Sequence, residues 1–488
     1  MTEWITAILL PLIAGATILY CIQGDRINLA ITSGDLSSVD SLRSSTCCHG
    51  LLYALGASYL LGLVVVMALL YASLTLAGGG KTEQYYFRML CLVVFVFAII
   101  RRIHTRAKVV SGPRSRPVQE DARAARSAVS RDVFSMTRVK YLLLVLPATL
   151  IVVKLWMIGA ATVSVPLRGD DAISIWLYRA KVIATLNTIP LDPGHPYYLG
   201  GSVATYPVFC SLMAAWIPMV TGGWNESLAA LPWLLMYLSL LCVVVGGLLP
   251  WCGSLIAGFA AYAAVSLPLV AIHVCRPGYA DLPLAVFLAA STVQLLAWHR
   301  SGRVGDFVLA FVFGLAAALM KREGPALAVL MLLPLLIANA GVIQRRTKAA
   351  KIGMTLSILI SVVLCGVLMD FSDQRSAVAS PAWQPGVATA MVRHAFSWGS
   401  FLLLFPMAAV LLVMVAFCRE AVHRTVTVVT CLLLVGFVAG IFLLTPQGRF
   451  ALNDQTPSRL LLQIAPTMIV LIASSLGSVR ARCGAEAT

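Results

Sequence analysis

The first feature that could carry chemistry is a pair of adjacent carboxylates, Asp170 and Asp171, which follows directly after a long apolar run. An acid at the edge of a membrane can accept a proton from a substrate that a lipid carries to it. The sequence therefore predicts an enzyme whose catalytic residues are Asp171, as the base, and Asp170 beside it. A structural role is the alternative, since Asp170 could cap the next helix and Asp171 could complement its dipole.

A second polar segment joins two apolar runs and contains Arg276 and Asp281. Pro277 and Gly278 supply a turn between them. We interpret Asp281 as a second acidic wall of the same cleft and Arg276 as a cation on that side. The alternative is that Asp281 only begins and caps the next helix.

A third segment places three consecutive charges, Lys321, Arg322 and Glu323, inside an apolar stretch. A charge at the centre of a span costs about 2.5–3.5 kcal/mol, so this break must form an outer turn or face a polar cavity. Lys321 is therefore a candidate ligand for an anion, and Glu323 joins Asp281 in the acidic wall. A surface hairpin in which Arg322 and Glu323 neutralise each other is the alternative.

A fourth segment contains Ser458, a candidate N-cap, and Arg459 directly before another apolar run. A helix N-terminus and a guanidinium form a phosphate site together, because free N–H groups and positive charge point the same way. An arginine that only anchors the helix at the interface is the alternative. The cations that we expect to bind a lipid phosphate are Arg459, Lys321, Arg276 and Lys181.

The rest of the chain is built to hold these segments in a bilayer. Of its 488 residues, 60% are hydrophobic and 11% are charged, and the mean hydropathy is +0.90. Soluble proteins carry roughly 25% charged residues, so a soluble class is excluded. Apolar runs long enough to cross a ~30 Å hydrocarbon core recur, which predicts an all-α, polytopic membrane protein of about thirteen spans. They lie near 4–22, 50–77, 86–100, 141–163, 228–249, 254–272, 282–298, 305–320, 325–340, 353–369, 398–417, 425–444 and 460–477.

Lysine and arginine in the connections predict the orientation. Residues 101–140 contain eleven Lys or Arg against three acids, which favours a cytoplasmic linker. Later basic connections then fall on the same side, and the four charged segments fall on the outer face. We read the net charge of +16 as a topology signal and not as nucleic-acid binding. The expected organisation is a three-span region at 1–100, the linker at 101–140, a transmembrane core at 141–480 and a cytoplasmic tail at 481–488.

Two juxtamembrane helices are expected on the outer face. The run 206–220 contains two prolines and is too short to cross, which predicts an interfacial or re-entrant helix. Residues 171–183 show an amphipathic pattern, with Ile173 and Trp176 on the apolar face and Lys181 on the polar face. That pattern predicts a helix lying flat, with Trp176 at the level of the lipid headgroups.

Taken in order, the four segments resemble the GT-C superfamily of integral-membrane glycosyltransferases, such as the lipid A aminoarabinose transferases and the protein O-mannosyltransferases. The stretch 171–181 looks like the acidic first outer loop, and Tyr279-Ala280-Asp281 resembles the second outer acidic motif. The turn at 321–324 resembles the lysine-containing turn of the family, and 458–461 resembles its late arginine segment. The resemblance covers about 140–480 and implies a GT-C-like core.

The resemblance also implies a reaction. A sugar would pass from a polyprenyl-phosphate donor to the hydroxyl of an unknown lipid, glycan or protein acceptor, at the outer face of a bacterial inner membrane. Asp171 would take the hydroxyl proton, with inversion at the anomeric carbon, and Arg459 with Lys321 would stabilise the leaving phosphate. No cofactor is required; a divalent metal held by two or three acids stays open. Membrane lipids are further partners, and nucleic acid is not.

A multi-span transporter or lipid flippase is the rival class. A transporter is expected to show internal repeats and ionisable residues near the bilayer centre. No convincing repeat is visible, and Lys154 is the main charge in the middle of a span. A non-catalytic assembly factor is a third class, which would account for the N-terminal spans but not for the ordered outer segments.

Overall fold

The structure, a computed structural model, is helical and contains no strand in the part of the chain that it describes. Those residues are 2–32, 41–76, 133–164, 167, 169, 172–199, 206–338, 384–397, 400–401, 403–416, 421–452 and 456–486. The predicted spans at 86–100 and 353–369, and the linker up to residue 132, lie outside the described residues.

Long apolar helices dominate, joined by short helices near one end of the bundle. The elements are α1 (Thr2–Thr32), α2 (Ser41–Leu76), α3 (Val133–Ser164), a π-helix (Ala172–Leu177), α4 (Tyr178–Leu186), α5 (Phe209–Val220), α6 (Glu226–Ser266), α7 (Pro268–Cys275), α8 (Asp281–Ser301), α9 (Val304–Ala318), α10 (Gly324–Ala338), α11 (Val387–Phe396), α12 (Leu404–Ala416), α13 (Ala421–Leu444), α14 (Gly448–Leu452) and α15 (Pro457–Glu486).

Six segments of the described chain are long and apolar enough to cross a membrane. They are Gly50–Thr75, Leu143–Ser164, Glu226–Ser266, Asp281–Ser301, Val426–Leu444 and Pro457–Gly477. Several other predicted spans form shorter apolar helices, among them Val304–Ala318 and Gly324–Ala338. The class of helical membrane protein is therefore confirmed, whereas the count of about thirteen spans is not.

The helices of the core run between two distinct ends of the bundle. At one end, Arg300 donates from Nη1 to the carbonyl of Pro250 at 2.7 Å, and its guanidinium lies 5.6 Å from the Trp251 ring centroid. At the other end, the Thr162 hydroxyl donates to the carbonyl of Val274 at 3.2 Å. We call the first the basic end and the second the site end, because the charged segments 279–281, 321–323 and 459–463 meet there.

The first two helices pack against the core. The indole N–H of Trp216 on α5 donates to the carbonyl of Ala7 on α1 at 2.9 Å. A Cβ atom on Gly56 of α2 would lie 2.8 Å from the Cβ of Cys242 on α6, so these two helices touch through their backbones. Such close approach through small residues is a usual mode of helix association in membranes. These helices therefore belong to the same packed body as the core.

The long helix α6 is interrupted, and a further break separates it from α7. Gly253 has φ +73°, a conformation that favours glycine, and divides α6 into two arms. Leu267 is extended, with ψ 124°, and precedes Pro268, which has no N–H to continue the ladder. The second break re-aims the chain, so that α7 leads into the charged segment at the site end.

Side chains from the first arm of α6 and from α3 bind the carbonyls that this second break leaves open. The Tyr237 hydroxyl donates to the carbonyl of Val265 at 2.8 Å. The Lys154 ammonium, from the middle of α3, donates to the carbonyl of Ser266 at 2.9 Å. Unpaired backbone carbonyls are costly within a membrane, so this contact gives the mid-span lysine a structural role.

Replacing Lys154 with Met is expected to loosen α7. A hydrogen bond from a charged donor contributes about 1.5–3 kcal/mol, which corresponds to about 10- to 150-fold faster exchange of the amide hydrogens of 269–275. Hydrogen exchange read by mass spectrometry measures this. Lys154→Arg keeps a donor and serves as the matched control, for which exchange close to wild type is expected. Unchanged exchange in the Met variant would remove the capping role.

Candidate functional site

The site is built around the carboxylate of Asp281, which has no solvent exposure. Lys321 Nζ donates to Oδ1 at 2.8 Å, and Gln463 Nε2 donates to the same oxygen at 2.6 Å. Arg459 Nε donates to Oδ2 at 3.0 Å. A buried carboxylate is stable in an apolar protein only when it is paired and hydrogen-bonded in this way.

Three elements bring these groups together. Asp281 opens α8, where its charge complements the helix dipole. Arg459 and Gln463 lie four residues apart on α15, so both face the same side and both reach Asp281. Lys321 lies in the turn between α9 and α10, which Gly324 closes with a hydrogen bond from its N–H to the carbonyl of Lys321 at 3.0 Å.

Glu323 completes what we call the ion cluster: Asp281, Lys321, Glu323, Arg459 and Gln463. Its Oε1 lies 2.8 Å from Lys321 Nζ and accepts from Gln463 Nε2 at 3.3 Å. Burial alone lowers the pKa of Lys321, but the two carboxylates raise it by more, so its net pKa lies above the usual value. With Lys321 and Arg459 charged, two cations balance two carboxylates.

Aromatic rings form one wall of the ion cluster. The Arg459 guanidinium lies 4.6 Å from the ring centroid of Tyr279, and the ring of His273 packs against the same ring at 5.1 Å. His273 Nε2 lies 3.8 Å from Asp281 Oδ2, which is beyond hydrogen-bonding distance. Within the described residues, this atom and Gln463 Oε1 are buried with no hydrogen-bond partner. Such atoms cost about 1–3 kcal/mol each, so the site is suited to a polar ligand.

Asp170 and Asp171 lie outside the described residues, but the residues on both sides of them are described. Gly169 has φ +119°, and a Cβ atom there would lie 2.5 Å from the Tyr279 hydroxyl. A Cβ atom on Gly278 would lie 2.7 Å from the Cβ of Ala172. Both flanks of the acid pair therefore contact the segment 278–279, directly before Asp281.

The helix predicted over 171–183 begins as a π-helix at Ala172 and becomes α-helical at Tyr178. The wider π turn shifts the phase of the side chains, so Ile173, predicted on the apolar face, is 50% exposed. Trp176 is 1% exposed and packs on the Tyr206 ring at 5.2 Å. The prediction that Trp176 lies among lipid headgroups is therefore wrong, because its partner is the protein interior.

Two arginines that we had not assigned hold Tyr206 beside the ion cluster. Arg179 is buried on α4 and donates from Nη1 to the carbonyl of Tyr206 at 2.8 Å. Burial lowers the pKa of the Arg179 guanidinium to about 10, so it is charged at neutral pH. The guanidinium of Arg322 lies 4.7 Å from the Tyr206 ring centroid. Tyr206 thus links the segment after the acid pair to the turn that carries Lys321.

The structure separates the predicted site residues into two groups. It brings Asp281, Lys321, Glu323 and Arg459 together in the ion cluster. It leaves Lys181 and Arg276 exposed and outside that cluster. The run predicted to be interfacial or re-entrant forms α5, a twelve-residue helix that is buried along its whole length.

Sequence reasoning missed several partners of the cluster. Gln463 could have been found from its position one helical turn after Arg459. His394 Nδ1 on α11 forms a hydrogen bond with the Ser458 hydroxyl at 2.7 Å. The two residues are 64 positions apart, so no local sequence pattern predicts this contact. Ser458 was expected to cap α15, which instead begins at Pro457.

Comparison with protein-family models, with curated proteins and with solved structures finds no match to this chain. What the fold defines is a helical membrane protein with a buried ion cluster where several helices meet. The described residues contain no group of three or more His, Cys, Asp or Glu placed to hold a metal ion. The ion cluster holds two cations in fixed directions, which is an arrangement that suits an anion.

Proposed function

We propose that the protein is an integral-membrane glycosyltransferase of the GT-C type. It takes a sugar from a polyprenyl-phosphate donor, transfers it with inversion to a hydroxyl on the outer side of the membrane, and uses Asp171 as the base. The observation that carries the proposal is that Gly169 and Ala172, on either side of the acid pair, contact Tyr279 and Gly278 beside the half-buried Arg459. The residues that flank the proposed base and the cation proposed for the leaving group thereby lie in one small region.

The ion cluster supports the phosphate half of the reaction. Arg459 uses Nε to bind Asp281, and a guanidinium carries four further N–H donors. A cation held in a fixed direction stabilises the charge that develops on a leaving phosphate without having to reorganise. Asp281, which three donors already engage, does not act as a base; it positions Arg459 and Lys321.

The membrane arrangement supports transfer from a lipid. The site end lies at the termini of spans, where the phosphate of a lipid donor lies while its chain remains in the hydrocarbon. Arg300 and Arg303 lie at the opposite, basic end, which the positive-inside rule assigns to the cytoplasm. The proposed reaction therefore faces outward. Lys154, the charge that favoured a transporter, is engaged as a helix cap.

The proposal is tested by sugar transfer in nanodiscs with purified protein and a panel of polyprenyl-phosphate sugars, following release of free polyprenyl phosphate. Release by the wild type is expected. Arg459→Gln is expected to lower the rate by about 10²–10³-fold, because it removes the cation at the leaving group. Arg276→Gln, at an exposed position outside the ion cluster, is the matched control and is expected to stay near the wild-type rate.

Two outcomes would contradict the proposal. The first is no release from any donor by folded protein supplied with membrane extracts as acceptors. The second is release that Arg459→Gln and Arg276→Gln affect equally, since the ion cluster would then have no special part in the reaction.

A further inference from the structure

We infer that the region bounded by His273, Tyr279 and Arg459 binds the donor's phosphodiester together with one proton, which His273 takes up at Nε2. The ligand is a monoanionic phosphodiester attached to an isoprenoid. The inference rests on the proposed function for the identity of the donor. The coupling of anion binding to proton uptake is a separate claim, which can be measured without any sugar transfer.

The hydrogen bonding of His273 determines which of its nitrogens exchanges the proton. Nδ1 lies 2.8 Å from the carbonyl oxygen of Leu269, one turn earlier on α7. A carbonyl only accepts, so Nδ1 carries a hydrogen in both charge states. Nε2 is therefore the atom that gains or loses the proton, and it is buried without a partner in the described part of the chain. It points toward the Asp281 side of the ion cluster, at 3.8 Å from Oδ2.

Several charged and titratable groups face this imidazole from the elements around it. Asp281 is the acidic group, 3.8 Å away, and Lys321 and Arg459 are the cations that bind the same carboxylate. Lys154 on α3 lies at the far end of α7, where it is bonded to Ser266. Among the described residues, the charged and titratable groups that contact α7, the break before it or the ion cluster include Lys154, Tyr237, Tyr279, Asp281, Lys321, Glu323 and Arg459.

Charge balance gives the reason for the coupling. With His273 neutral, the two cations and two carboxylates of the ion cluster sum to zero. A phosphodiester would then bring an uncompensated negative charge into a buried site, which is unfavourable. Protonated His273 adds one positive charge and an Nε2–H donor, so the anion and the proton together restore neutrality and satisfy the unpaired nitrogen.

The sign of the pH dependence follows directly. The bound state holds one more proton than the free state, so affinity rises as the pH falls. Where His273 is neutral in the free protein, binding tightens up to tenfold for each unit decrease in pH. A phosphodiester is a monoanion across this range, so the ligand itself contributes no proton.

The experiment is calorimetric titration of full-length protein in detergent with farnesyl methyl phosphodiester, at several values between about pH 5.5 and 8.5. Two buffers of different ionisation enthalpy give the number of protons taken up. Wild type is expected to take up close to one proton at the alkaline end and to bind up to tenfold tighter per unit decrease in pH. Dimethyl phosphate and phosphatidylglycerol serve as a tail-free ligand and a membrane phosphodiester, and weaker binding of both is expected.

His273→Gln keeps a polar side chain that does not titrate. It is expected to bind the diester with no proton uptake and with an affinity independent of pH. His299→Gln is the same change near the basic end and is expected to behave as wild type. The proton count on the wild type needs no variant, so the test stands even if His273→Gln folds poorly.

The outcomes separate the inference from the proposed function. Binding to wild type without proton uptake, or uptake that persists in His273→Gln, overturns the inference. The proposed function would survive that result if sugar transfer, measured separately, is observed. If phosphatidylglycerol binds as tightly as the farnesyl diester, the site binds membrane lipid, and the inference that it binds the donor is overturned. Absence of both diester binding and transfer would remove the inference and the proposed function together.

Discussion

Asp171→Asn protein is expected to fold as the wild type does and to lose about 10²–10⁴-fold in the rate of sugar transfer. An amide has the shape of the carboxylate but cannot accept the proton of the attacking hydroxyl. The loss is expected in kcat, with donor affinity nearly unchanged, because the groups proposed to bind the phosphate lie on other elements. Initial rates of polyprenyl phosphate release at several donor concentrations, in nanodiscs, measure both quantities.

Asp170→Asn is the matched control, since it removes the same charge one residue earlier. We expect the rate of sugar transfer by that variant to fall by less than about tenfold, because a single base accepts the proton in the proposed reaction. Equal, large losses in both variants would show that the pair acts as a unit. Ordinary turnover by Asp171→Asn would disprove the assignment of the base.

Asp281→Asn is expected to lower the free energy of unfolding by about 3–5 kcal/mol, the largest stability effect of any single change to the site. Asp281 is fully buried, and neutralising it removes one carboxylate from Arg459 and one of the two that Lys321 contacts among the described residues. Unfolding by a denaturing detergent, followed by circular dichroism, measures the loss. Sugar transfer by the fraction that remains folded is also expected to fall, because Arg459 is no longer oriented.

A double-mutant cycle separates the ion pair from general damage. The double variant Asp281→Asn, Arg459→Gln is expected to lose less free energy of unfolding than the sum of the two single variants, by about 0.5–3 kcal/mol. Strict additivity would mean that the contact between Arg459 and Asp281 contributes nothing to the fold. Arg276→Gln in the Asp281→Asn background is the control and is expected to be additive.

The meeting of Asp281, Lys321, Glu323 and Arg459 at one end of the bundle could be predicted from the sequence. Each lies where a charge interrupts or borders an apolar run, and the basic connections fix on which side each run ends. Alternation of spans then places all four at the same level. Once the four residues are known to lie at the same depth in the membrane, their contact across the bundle is a short further inference.

The roles of these residues could not be predicted in the same way. Hydropathy gives the depth of a residue but not its direction around the helix axis or its neighbours. Asp281 was therefore read as a cleft wall, whereas it is enclosed by three donors. Lys181 and Arg276 have the same sequence signature as Lys321 but are exposed.

Local geometry accounts for the remaining differences. A π-helix has no clear composition signal, so the helical wheel for 171–183 assigned the wrong face to Ile173. His273 stood in a segment that the sequence had singled out, but its orphaned nitrogen depends on a contact with the preceding turn. The span count rested on hydropathy alone, and several predicted crossings form helices of fewer than 18 residues.

The distance in sequence between Arg459 and Asp281, 178 residues, has a consequence for biosynthesis. At roughly 5–20 residues per second, a ribosome needs roughly 9–36 s after making Asp281 before Arg459 exists. During that interval the nascent chain carries a membrane-edge aspartate that lacks its arginine. Lys321 is made well before Arg459 and is the first charged partner that Asp281 can find, so the ion cluster is completed late in biosynthesis, only after α15 begins to emerge.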